Sequence, residues 1–173
     1  MKQLGMIVLA AAVALIALVG CGDNEEAQVV PGVQTTRLES AQEVPPNTST
    51  ATGEFKVLIS DDERFLTWHI DYQGLVADAT GAHIHLGQRG VVGGIVVHFC
   101  GTGGKPPCPT PSGSLDGVAT SADVVALAAP NPITIAAGDF ATLVRQLRSG
   151  NVYANVHSTR LPGGEIRGQV PPR

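Results

Sequence analysis

From Thr35 onward, apolar and polar side chains alternate in short bursts closed by Gly, Pro, Asn or Asp. That is the pattern of β-strands joined by tight turns. The alternation predicts a first strand over 35–40 and a second over 51–60, with Phe55, Val57 and Ile59 on one face. A third, over 64–72, sets Leu66, Trp68, Ile70 and Tyr72 against Phe65, Thr67, His69 and Asp71, and the acidic turn Asp61-Asp62-Glu63 makes the two a hairpin. Between the first two, the pair Pro45-Pro46 has no N–H to give a ladder, so Glu43 to Asn47 reads as a turn or sheet edge. Further strands are predicted over 81–87, 91–99, 113–119, 152–158 and 165–170. Helical spacing is clear once: Asp139 is a good N-cap, Phe140, Leu143, Val144 and Leu147 share one face, and Gly150 follows the end. Residues 121–128 predict one or two helical turns capped by Ser121 and ended by Pro130-Asn131-Pro132. About eight strands and one short α-helix, with no β-α-β alternation, give an all-β, antiparallel β-sandwich.

The first twenty residues break this pattern. Lys2 precedes an apolar run from Met6 to Val19, the layout of a secretory signal peptide, and the run is short for a membrane span of ~20 residues. It closes in Leu18-Val19-Gly20-Cys21, which resembles the lipobox of bacterial lipoproteins. That resemblance implies a lipidated Cys21 as first mature residue and a membrane partner through the lipid. Gly22 after it, by likeness to the sorting rule of enteric bacteria, permits an outer-membrane address on the periplasmic or extracellular side of the envelope. Polar, acidic residues 21–34 read as a tether, and 35–173 as a single domain with a real core. Lys2 is the only charge in the first twenty residues, so without them the 11 basic and 15 acidic residues become 10 and 15, a formal −5. That balance disfavours nucleic acid as a partner.

Chemistry concentrates in Gly81-Ala82-His83-Ile84-His85-Leu86-Gly87. On a strand, His83 and His85 project from one face while Ala82, Ile84 and Leu86 take the other. If the strand over 152–158 lies beside it, His157 joins them with Asn155 on the same face, and three imidazoles with an open position suit copper or zinc. Glu165 and Arg167 share a face, so they form a salt bridge, support a histidine, or bind an anion. The alternatives are a buried polar network with no ligand, in which these side chains satisfy one another, and a small-molecule or peptide site. His69 reads as an exposed strand histidine. His98, placed with Val96 on one face, reads as a buried or edge histidine. Cys100 and Cys108 flank a Gly/Pro-rich loop, and an oxidising compartment favours a disulfide, the alternatives being a metal pair or free thiols. No GxSxG elbow, phosphate loop or Ser-His-Asp order is present, which points away from an enzyme.

Four stretches in order, LESAQEVPP, AHIHLGQRGVVGGIVV, GDFATLVRQLRSGNVYANVHS and PGGEIRGQV, resemble the CHRD domain over roughly 35–171. The resemblance implies an all-β, immunoglobulin-like sandwich and a non-enzymatic binding or structural module, with no established activity. A more distant likeness is to the Greek-key copper/zinc superoxide dismutases: His83 and His85 match a copper-ligand pair on a strand, and His157 a late ligand. The bridging histidine, the zinc cluster and the catalytic arginine have no counterpart. That likeness therefore implies a lone copper or zinc site without dismutase activity.

Overall fold

The structure, a computed structural model, describes residues 32–173. The signal segment, Cys21 and nearly all of the tether lie outside the described residues. Gln34, at the end of the expected tether, already opens the first strand. Eight strands form in chain order: β1 (Gln34–Glu39), β2 (Thr52–Ile59), β3 (Phe65–Gln73), β4 (Ala79–Leu86), β5 (Gly94–Cys100), β6 (Gly113–Thr120), β7 (Val152–Ser158) and β8 (Ile166–Gln169). Among the described residues one α-helix, α1 (Phe140–Arg148), stands between β6 and β7. Every pairing is antiparallel, as the alternation predicts.

The all-β, sandwich-like fold is there, with its strands hydrogen-bonded into one nearly closed sheet. A single sheet runs β5-β4-β7-β8-β1-β2-β3-β6. Its two four-stranded halves meet through one residue pair, Glu39 opposite Arg167, and the sheet curls until its ends, β5 and β6, approach one another without pairing. Residues 124–135 fill that seam: the Val125 N–H donates to the Val96 carbonyl, and Val124 and Ile135 are buried. Inside, Phe99 of β5 stacks on Trp68 and Phe55 of the opposite half, with ring centroids 4.0 and 5.6 Å apart. Each large apolar side chain buried here contributes about 1.5–3 kcal/mol.

The helix forms where expected. Asp139 accepts the Thr142 N–H at 3.0 Å, and Phe140, Leu143, Val144 and Leu147 all face the core. The stretch after β6 is shorter than expected, one 3-10 turn over Ser121–Asp123. Its cap is Thr120 rather than Ser121, because Thr120 and Asp123 form a reciprocal capping box. The strand expected from residue 91 starts only at Gly94, since the Val91 and Gly93 carbonyls serve Arg167 and His85 instead of a ladder.

β5 also departs from simple alternation. His83 faces His98 and His85 faces Ile95, yet Ala82 faces Cys100 and Ile84 faces Val97, so Phe99 and Val96 are extra residues at two β-bulges. Both extras turn inward. His98 therefore leaves the face of Val96, with which regular spacing had placed it, and stands outside.

Candidate metal centre on the outer face

The inner faces of β4 and β7 supply Ala82, Ile84, Leu86, Ala154 and Val156 to the core. Their outer faces are also covered, by the loops around residues 40–47, 87–93, 101–107 and 159–164, so His83 and His85 are only 3% and 6% exposed. Cross-strand register aligns the polar side chains. His98, His83, Asn155 and Arg167 form one row across β5, β4, β7 and β8, and His85, Tyr153 and Gln169 form the next. His157, half-buried, lies opposite Gly81. One ring nitrogen each from His83, His85 and His157 lies within 4.8 Å of the other two.

The outward hydrogen bonds to carbonyls fix the tautomers of His85 and His157. His85 Nδ1–H donates to the Gly93 carbonyl at 2.9 Å, and His157 Nδ1–H donates to the Pro162 carbonyl at 2.9 Å. Thr102 Oγ1 lies 2.6 Å from His83 Nε2 and 2.7 Å from His98 Nδ1. A consistent chain has His83 Nε2–H donating to Thr102, whose hydroxyl donates to His98. His85 and His157 thus spend their protons on outside acceptors and keep Nε2 bare, and the same holds for His83 Nδ1 when the Thr102 chain runs in this direction. His83 Nδ1 and His85 Nε2 are buried and have no hydrogen-bond partner.

Burial pushes His83 from its ordinary 6.5 down to about 2, and the neighbouring histidines add to the effect. Burial takes His85 to about 4 against the opposing pull of the Gly93 carbonyl, and it lowers His157 as well. All three rings are neutral at pH 7, the form that ligates metal. Outward N–H groups held by carbonyl and hydroxyl oxygens, with lone pairs converging inward, are the usual support of a histidine metal site.

A family model described as the CHRD domain matches residues 34–170. The chain belongs to the CHRD family. Neither a curated protein nor a solved structure gives a match. In this CHRD domain the four stretches of the sequence resemblance converge on the outer face: the first brings Gln42 and Glu43, the second His83 and His85, the third Asn155 and His157, the last Gly164 to Gln169.

Glu165 and Arg167 do not pair. Glu165, fully buried, accepts from Ser49 Oγ at 2.6 Å and from the Val76 N–H at 2.8 Å, tying two loops together. Arg167, 2% exposed, donates to the Val91 and Gln88 carbonyls and to Gln169 Oε1, and it lies 3.4 Å from the Tyr153 ring centroid. Tyr153 in turn stacks on His85. His69 stays on the surface near Asp71. Cys100 and Cys108 are joined by a disulfide that ties off the loop carrying Thr102.

Glu43 is the residue sequence reasoning missed. It is 5% exposed, Oε1 has no partner, and burial raises its pKa from 4.5 to about 7, while Arg167 and the Asn155 amide favour the ionised form. Its signal was its place just before Val44-Pro45-Pro46 in the first family stretch.

Proposed function

We propose that this CHRD domain is a non-enzymatic metal-binding module that holds copper or zinc through His83, His85 and His157. One observation carries the reading: a ring nitrogen from each of three buried or half-buried imidazoles lies within 4.8 Å of the other two, while the Nδ1–H groups of His85 and His157 are held by carbonyls. A self-contained polar network is disfavoured, because such a network would satisfy its own members, and two buried ring nitrogens here have no partner. We also infer that the module works at a bacterial envelope surface, held there by lipid on Cys21; the apolar run and its closing Leu-Val-Gly-Cys support this. The curled sheet fits a Greek-key arrangement: with the seam counted as a neighbour pair, β3, β6, β5 and β4 lie side by side.

The test is metal content and affinity of the purified protein, made without a metal-binding tag. The expected outcome is one equivalent of zinc or copper(II), lost in His83→Ala and in His85→Ala. A protein that takes up neither ion, even when both are supplied, would make the histidine cluster structural.

A further inference from the structure

We propose that Asn155, through Oδ1, is a fourth ligand of this metal site, and that Glu43 is the positioning residue that turns the amide toward the ion. The proposal rests on the metal reading above and deepens it. Asn155 is 2% exposed and stands between His83 on β4 and Arg167 on β8. Its Oδ1 lies 3.1 Å from His157 Nε2. His157 Nδ1–H is already given to the Pro162 carbonyl, so that Nε2 is a lone-pair nitrogen. Two acceptors face each other at hydrogen-bond distance with no proton between them.

Turning the amide over would relieve the contact by presenting its NH2 to His157. Glu43 opposes that. Its carboxyl group is buried and Oε1 has no hydrogen-bond partner; burial raises its pKa, against the smaller opposing effects of Arg167 and the Asn155 amide. A carboxyl oxygen accepting hydrogen bonds draws the NH2 end toward itself and repels the amide oxygen. Gly164 closes over the group: at φ +130° it lets the backbone pass where any Cβ would collide with the Glu43 carboxyl. With the amide so held, Oδ1 and His157 Nε2 face one another as two acceptors beside the converging rings of His83 and His85.

A cation resolves that conflict. Two ligands bound at about 2.0–2.1 Å with tetrahedral angles stand about 3.3 Å apart, close to the contact between His157 and Asn155. The histidine nitrogens, within 4.8 Å of one another, must draw closer to share one ion. Three imidazoles and an amide oxygen carry no charge and include no soft sulfur, so the site takes divalent zinc or copper(II) in preference to copper(I).

The experiment uses cobalt(II) as an optical stand-in for zinc and copper(II) for electron paramagnetic resonance, on the whole protein and on Asn155→Asp, Asn155→Leu and Glu43→Gln. For Asn155→Asp, whose ligand gains a negative charge, the expected result is about tenfold tighter zinc binding and a shifted cobalt band. For Asn155→Leu it is a 10–100-fold loss with one ion still bound by the histidines. For Glu43→Gln, which lets the amide turn, it is a changed cobalt spectrum with the fold intact by circular dichroism. Unchanged spectra and affinities in Asn155→Asp overturn the proposal while leaving the three-histidine site standing. Absence of any ion from the unsubstituted protein overturns both. If Asn155→Leu does not fold, Asn155→Asp and Glu43→Gln decide the matter.

Discussion

Arg167 shows what a single buried charge does here. Among the described residues its guanidinium pairs with no carboxylate; it satisfies the carbonyls of Gln88 and Val91 and so pins the loop over His85. Arg167→Met keeps much of the volume but leaves those acceptors unpaired under cover. The expected loss is about 2–3 kcal/mol in urea unfolding, and a change below about 0.5 kcal/mol would mean that the loop is held by something else. Strand alternation made His83, His85, His157 and Asn155 legible, because one strand face is a local property of spacing. The same rule put Glu165 beside Arg167 and was not enough. Glu165 lies just before β8, where its carboxylate is taken by Ser49 and Val76. Spacing gives the face of a side chain, not the loop that arrives over it, and Glu43 reaches the site on such a loop.

At the level of elements, β4 and β7 are buried on both faces, the inner by the core and the outer by loops. The disulfide-closed loop after β5 belongs to that outer cover, and its contribution is Thr102 between His83 and His98. Thr102→Val preserves shape and removes the hydroxyl, freeing the His83 ring and its tautomer. Competition against a chelator is expected to show metal affinity about 10–100-fold lower, with the Cys100–Cys108 bond intact. Unchanged affinity would assign His83's orientation to packing alone. The strands and the helix were readable because each carries its own period. The 3-10 turn at Ser121 and the late start of β5 were not, since a capping box and the demands of Arg167 and His85 outweigh local apolar runs.

For the molecule as a whole, the count of strands could be read from the chain, but their closure could not. The Glu39–Arg167 join and the filled seam depend on partners far apart in sequence. The buried titratable groups make a prediction for the metal-free protein. His83 and His85 have folded pKa values of about 2 and about 4, below the ordinary 6.5, so below pH 6.5 the unfolded chain binds more protons than the folded one. The stability they contribute is present above 6.5 and falls with acidification, by about 1.4 kcal/mol per pH unit for each. Glu43, raised to about 7, acts in the opposite sense: its contribution is full below 4.5 and lost as pH rises to 7. The histidines outnumber it, so urea midpoints are expected to drop from pH 6.5 to 4.5, and to drop more steeply in Glu43→Gln. A flat profile would mean that the cluster admits protons without opening.

The two bulges of β5 bear on how relatives of this chain should be aligned. Phe99 and Val96 are residues a flat strand would not need, and removing either from the count leaves His98 and Ile95 outward and Cys100 and Val97 inward. A homologue one or two residues shorter here can keep the same ligand geometry. The gap then belongs at Phe99 or Val96; a column-by-column match through β5 would set an outward histidine against an inward apolar residue and hide the equivalence.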